Sequence, residues 1–133
     1  MSYINNPTSI LAGTGIVVTP TTGTGANTIV ISSSGLASYA IRIATTTPVT
    51  VDPATDDVIS VQVPGPVPVA VDLPAGVEGA TYTIKDGLGL ASIDDPITIT
   101  PDAGTIDGSA SAVISAPYGA LTFIYDGVQW LII

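Results

Sequence analysis

Short runs of β-branched and other apolar residues, broken at close intervals by Gly, Pro, Asp and Asn, make up most of this chain. Within the runs, large apolar residues alternate with Thr, Ser or Ala. That period of two fits a pleated strand with one buried face. Val, Ile and Thr pack well on a pleated surface, whereas helix signals are nearly missing. The pattern predicts strands over residues 15–19, 28–32, 39–44, 47–51, 58–63, 69–73, 80–85, 96–100, 104–107, 111–114, 121–125 and 129–133. In the third of these, Tyr39, Ile41 and Ile43 share one side and Ala40 and Arg42 the other. This predicts a half-buried strand with Arg42 turned to solvent. Asp86-Gly87, Asp107-Gly108 and Asp126-Gly127 read as tight turns. Pro64-Gly65-Pro66-Val67-Pro68 cannot lie in a central strand, because proline donates no ladder hydrogen bond. The residues expected to pack in the core or between subunits are Tyr82 and Ile84 on one face, Ile97 and Ile99 pointing inward, and Phe123, Tyr125, Trp130 and Leu131 near the end of the chain.

Many short strands at this spacing predict an all-β fold, a small antiparallel sandwich or barrel. Ser33-Ser34-Gly35 reads as a boundary, dividing residues 1–34, an extended arm and hairpin, from a β domain over 35–133. Residues 1–12 carry no charge and a weak strand pattern, yet include Tyr3, Ile4, Ile10 and Leu11.

Composition changes the picture in one respect. Only 10% of the residues are charged, two cations against eleven carboxylates, for a net charge of −9. Ordinary soluble domains carry about 25%. A compact monomer of this mass exposes roughly 6,500 Å², which leaves about 500 Å² per charge. With 46% hydrophobic residues and a mean hydropathy of +0.58, the chain holds more apolar surface than a monomer readily covers. Burial between subunits resolves the excess; a Thr-rich neutral surface on a monomer is the alternative. Two cations, Arg42 and Lys85, are too few for phosphate binding, so neither nucleic acid nor an anionic membrane is an expected partner. The opening residues lack the basic and apolar pattern of a secretory leader.

Catalytic chemistry finds little to use. There is no His and no Cys, so the usual triads, thiolate nucleophiles and zinc sites are excluded in their common forms. Asp56-Asp57 and Asp94-Asp95 are adjacent pairs, which on a strand point to opposite faces. They read as turn and solubility residues. Asp94, Asp95, Asp102 and Asp107 contain no calcium-loop spacing. Gly13-Thr14-Gly15 and Gly23-Thr24-Gly25 lack the Lys and the helix of a phosphate loop. The expectation is a non-enzymatic protein with no catalytic residue, metal or cofactor.

The order Tyr82-Thr83-Ile84-Lys85-Asp86, Pro96-Ile97-Thr98-Ile99-Thr100-Pro101, Gly104-Thr105-Ile106-Asp107-Gly108, Tyr118-Gly119 and Tyr125-Asp126-Gly127-Val128-Gln129-Trp130-Leu131-Ile132 resembles a β domain that recurs in fibre, spike and capsid-decoration proteins of tailed bacteriophages. The likeness spans the C-terminal half. Gly13-Thr14-Gly15-Ile16-Val17-Val18 with Ile29-Val30-Ile31-Ser32 is similar to fibre-shaft repeats. The resemblance implies an intertwined homotrimer on the virion surface whose partners are itself and the major capsid protein or another virion component. It transfers no catalytic residue. A chain of 133 residues opening on Met1 is expected to be too short for a long fibre, which favours a capsid decoration, cement or head-fibre protein. The alternatives are a short tail-fibre or spike tip binding a host receptor or glycan, and a cellular carbohydrate-binding or adhesin module. A decoration protein must grip its shell, and an extended arm does so by adding a strand to a sheet edge. Tyr3, Ile4, Ile10 and Leu11 are therefore the expected attachment residues, unless the arm packs on its own trimer.

Overall fold

The computed structural model describes residues 16–20, 29–33 and 38–133. The chain divides into two compact units, Met1–Ser38 and Tyr39–Ile133. In the first, β1 (Ile16–Pro20) and β2 (Ile29–Ser33) pair antiparallel, from Ile16 with Ser33 to Pro20 with Ile29. Both strands begin and end one residue later than the pattern predicts. The expected attachment residues Tyr3, Ile4, Ile10 and Leu11 lie outside the described residues.

The second unit is built of β3 (Ile41–Ala44), β4 (Val49–Thr50), β5 (Val58–Val61), β6 (Val69–Leu73), β7 (Thr81–Asp86), β8 (Ile97–Pro101), β9 (Ala112–Ile114), β10 (Ala120–Tyr125) and β11 (Trp130–Ile132). No described residue is helical. One sheet has the order β11-β10-β7-β5-β3 and the other β4-β6-β8-β9. From β3 to β8 the chain changes sheet at every strand. As a result β3, β5 and β7 run parallel in one sheet, and β4, β6 and β8 run parallel in the other. These are three successive coils of a flattened solenoid. The last strands reverse the direction: β9 pairs with β8, β10 with β7, and β11 with β10, all antiparallel.

The sheets are therefore mixed, not antiparallel as the pattern predicts. Gly, Pro and Asx mark where a strand stops, but not which strand the chain pairs with next. A connection as short as residues 45–48 spans about 13 Å extended, enough to cross the roughly 10 Å between packed sheets. Asp86-Gly87 shows the same error. It is no hairpin turn: residues 87–96 carry the chain across to β8 in the other sheet. The segment at 104–107 is not a strand either, and only Ile106 forms isolated bridges.

One core fills the space between the sheets. Its ladders follow from the register. Val49, Val71, Ile99 and Ala112 stand side by side across the four-stranded sheet, next to Val69, Ile97 and Ile114. Opposite them lie Ile59 and Ile84, then Tyr82 beside Phe123, all buried. At the C-terminal edge Trp130 is fully buried, with the Tyr82 and Tyr125 rings 5.6 and 5.3 Å away. Its backbone is held on the far side by the segment 105–107. The Trp130 amide donates to Thr105 O, and the Asp107 amide donates to Trp130 O, each at 2.9 Å. That segment ends in a two-residue turn. Asp107 and Gly108 both have positive φ, and Ile106 and Ser109 exchange two backbone hydrogen bonds at 2.8 Å. Such a primed turn is what Asp-Gly favours.

Candidate interaction surface

The strand that begins the solenoid reverses the ordinary division of residues. Across the five-stranded sheet Arg42 is in register with Ile59 and Ile84, both core residues. Arg42 thus turns inward, and its expected solvent-facing position is corrected. The cause is Asp56, only 4% exposed in the loop before β5. The Arg42 Nε and Nη2 groups donate to both Asp56 oxygens at 2.7–3.0 Å, and Nη2 also donates to Thr50 O at 2.8 Å. The Asp52 amide donates to Asp56 Oδ2 at 2.8 Å. Burial alone would raise the Asp56 carboxyl, but Arg42 and that amide hold it below its ordinary range. Arg42 is raised in turn, chiefly by its hydrogen bonds to Asp56.

Strand alternation then forces Ile41 and Ile43 outward, 69 and 58% exposed, and Tyr39, just before the strand, is 78% exposed. Burying a side chain of this size is worth about 1.5–3 kcal/mol relative to leaving it in water. Beside Ile41 on the outer face stand Val58, Thr83 and Thr122; beside Ile43 stand Ser60, Lys85 and Ala120. Ile124 pairs with Leu131 on the same face. The strands of this sheet contribute no outward carboxylate. The other sheet differs. Its outer face carries Thr50, Asp72 and Thr100 in one row and Ala70, Thr98 and Val113 in the next. One face presents large apolar groups, the other mostly hydroxyls and small groups.

At the far end of β7 a second buried carboxylate fixes two loops. Asp86 is 2% exposed and has no cation at its oxygens among the described residues. It accepts instead from the amides of Leu88 and Gly89 on Oδ1 and of Ala91 and Tyr118 on Oδ2, at 3.0–3.2 Å. Burial pushes this carboxyl up, yet the amides outweigh it and leave it below the ordinary range. Lys85 Nζ donates to the Tyr118 carbonyl and, at 3.2 Å, to that of Asp86. Gly89 has φ +73°, and a Cβ there would fall within 2.5 Å of the Tyr118 ring. The result is a firmly held loop end on which Leu88, Leu90 and Tyr118 are exposed.

Of the predicted packing residues, Tyr82, Ile84, Ile97, Ile99, Phe123 and Trp130 are buried in the core, and Tyr125 packs against it. Leu131 lies on the outer face, opposite Ile124. The carboxylates do not gather: among the described residues no group of three or more metal-ligating side chains is brought together. Asp57 accepts from the Ala40 amide, and Asp126 from those of Val128 and Gln129. The pattern of the sequence does not reveal the roles of Arg42, Asp56 and Asp86. One available signal for the first pair was a lone Arg in an apolar strand, followed by an Asp-rich turn. Compared with known proteins, the chain matches no protein-family model and no curated protein sequence.

Proposed function

We propose that this chain is a non-enzymatic structural protein of a tailed-phage virion, acting as a homotrimer on the particle surface as a capsid decoration, cement or head-fibre protein. The observation that carries the reading is the outer face of the five-stranded sheet. Ile41, Ile43, Val58, Ile124 and Leu131 stand there without a carboxylate, on a chain that otherwise keeps a net charge of −9. A sheet face of this kind suits contact with protein better than contact with water. The C-terminal likeness to virion surface domains supplies the setting, and the all-β unit is compatible with it. Attachment to the shell falls to the arm, through Tyr3, Ile4, Ile10 and Leu11.

Imaging of purified particles tests this directly. The expected result is copies of the chain in threefold clusters on the capsid shell. Density at the tail tip would favour the second reading, a receptor-binding tip, for which the rigid loop end bearing Tyr118, Leu88 and Leu90 speaks. Absence of the protein from the particles sinks both. Removal of residues 1–12 tests the arm: the shortened chain should still assemble but load poorly onto undecorated shells.

A further inference from the structure

We infer that the outer face of the five-stranded sheet, centred on Ile41 and Ile43 of β3, is the surface through which copies of this chain pack against one another. The inference rests on the oligomeric reading above and names the surface that would carry it.

Three observations converge. The first is the inversion at β3. The strand's only charge is turned into the protein, onto Asp56, and its two isoleucines are turned out. A strand whose outer face met only water would be expected to do the opposite, with its isoleucines buried and its charge outward. The second is the distribution of charge. A chain at −9 repels its own copies, and ten of its eleven carboxylates lie in loops or on the other sheet. The remaining one, Asp86, is buried. Identical copies therefore meet with least repulsion across this face. The third concerns the occupant. Among the described residues the only ionic group standing on the face is Lys85, and its ammonium already serves the carbonyls of Asp86 and Tyr118. A strongly charged partner finds no partner charges here, whereas a second uncharged apolar sheet face matches it. The opposite sheet, with Asp72 and three threonines outward, offers no such match.

The test uses the full chain. Sedimentation equilibrium of the parent at micromolar concentration should give about three masses of 13.3 kDa. Ile41→Asp with Ile43→Asp should reduce this threefold, to one chain mass, while the fluorescence of buried Trp130 stays as in the parent. Thr98→Asp, on the outer face of β8, should leave the assembled mass unchanged. A double variant that keeps the parent mass overturns the assignment of the surface but leaves the oligomer standing. A parent that sediments as one chain overturns the oligomer itself and this inference with it. Hydroxyl-radical footprinting of the unaltered chain decides the matter if the double variant does not fold. Tyr39 should be oxidised several-fold more slowly in the assembled protein than after dilution to a concentration at which sedimentation gives one chain mass, with Val113, exposed on the outer face of the other sheet, as the unchanged reference. Equal Tyr39 rates, whether both fast or both slow, overturn the proposal; slow rates at both concentrations point to cover from within the same chain.

Discussion

Asp56 precedes the start of β5 and Asp86 ends the parallel strand β7, so the two carboxylates stand toward opposite ends of one sheet, both almost wholly out of water. Asp56 meets a guanidinium. Asp86 meets four backbone amides drawn from two loops. The difference teaches what each end of the unit is for. A side-chain partner must come from some element, and taking Arg42 from β3 turns that strand over and leaves Ile41 and Ile43 in the open. Amide partners require no such reversal. They tie residues 88–91 to residue 118 and hold the loop end still. With two cations in the whole chain, a second ion pair of the Arg42 type would leave almost nothing else to place.

The largest effect is expected at Asp86. Asp86→Asn keeps one acceptor oxygen and sets an NH₂ group against two amides that had an acceptor. Each buried donor left without a partner costs about 1–3 kcal/mol, so the loss should be roughly 2–6 kcal/mol in urea unfolding. A loss under about 0.5 kcal/mol would mean that the loops hold themselves. Arg42→Met comes next and tests the other end. It leaves Asp56 with the Asp52 amide and near solvent, because the Arg42 side chain is itself 38% exposed. The expected loss is about 1–2 kcal/mol, below that of Asp86→Asn. The reverse order would overturn the ranking of amides over the ion pair.

How much of this was legible beforehand differs by region. The strands 69–73 and 121–125, and the inward set Tyr82, Ile84, Ile97 and Ile99, follow from a period of two, because burial on one face leaves no other choice of side. Strand pairing does not follow from that period. The same alternation serves a parallel coil or an antiparallel hairpin, and the loops at 45–48 and 87–96 give no sign that they cross between sheets. The face of β3 departs from its hydrophobic pattern for a definite reason. Hydrophobicity alone places three large apolar residues inward, but one buried carboxylate, Asp56, outweighs them, and its position near Arg42 exists only in the fold. Asp86 reads as a turn residue because Asp-Gly is common there, while its four amide donors come from as far as 32 residues along the chain.

Acid should weaken both ends, by a smaller margin than either substitution. Both carboxyls titrate below the ordinary aspartate value of about 3.9, so below that pH the unfolded chain binds protons that the folded chain does not. Stability from these groups is complete above about pH 5 and is lost as pH falls through their lowered folded values. The measurable outcome is a stability curve level near neutrality and falling below about pH 4. The fall should be shallower in Asp86→Asn, and an unchanged slope would show that Asp86 is not among the groups that resist acid.

The smallest effect separates the two ends by salt. A pair open to water on one side is screened as ionic strength rises, since the Debye length shrinks from about 10 Å at 0.1 M to about 3 Å at 1 M. Hydrogen bonds between a buried carboxylate and nearby amides act at contact distance and are screened much less. Raising salt also relieves the self-repulsion of a chain at −9, so raw stabilities will rise in every variant and say nothing by themselves. The informative quantity is the change in each variant's loss relative to the parent. For Arg42→Met that loss should shrink by a few tenths of a kcal/mol between 0.1 and 1 M sodium chloride, in keeping with the modest worth of partly exposed pairs. For Asp86→Asn it should stay level. Equal shrinkage in both would mean that the Asp86 site feels the ionic atmosphere as the Arg42 pair does, and that its amides do not shelter it.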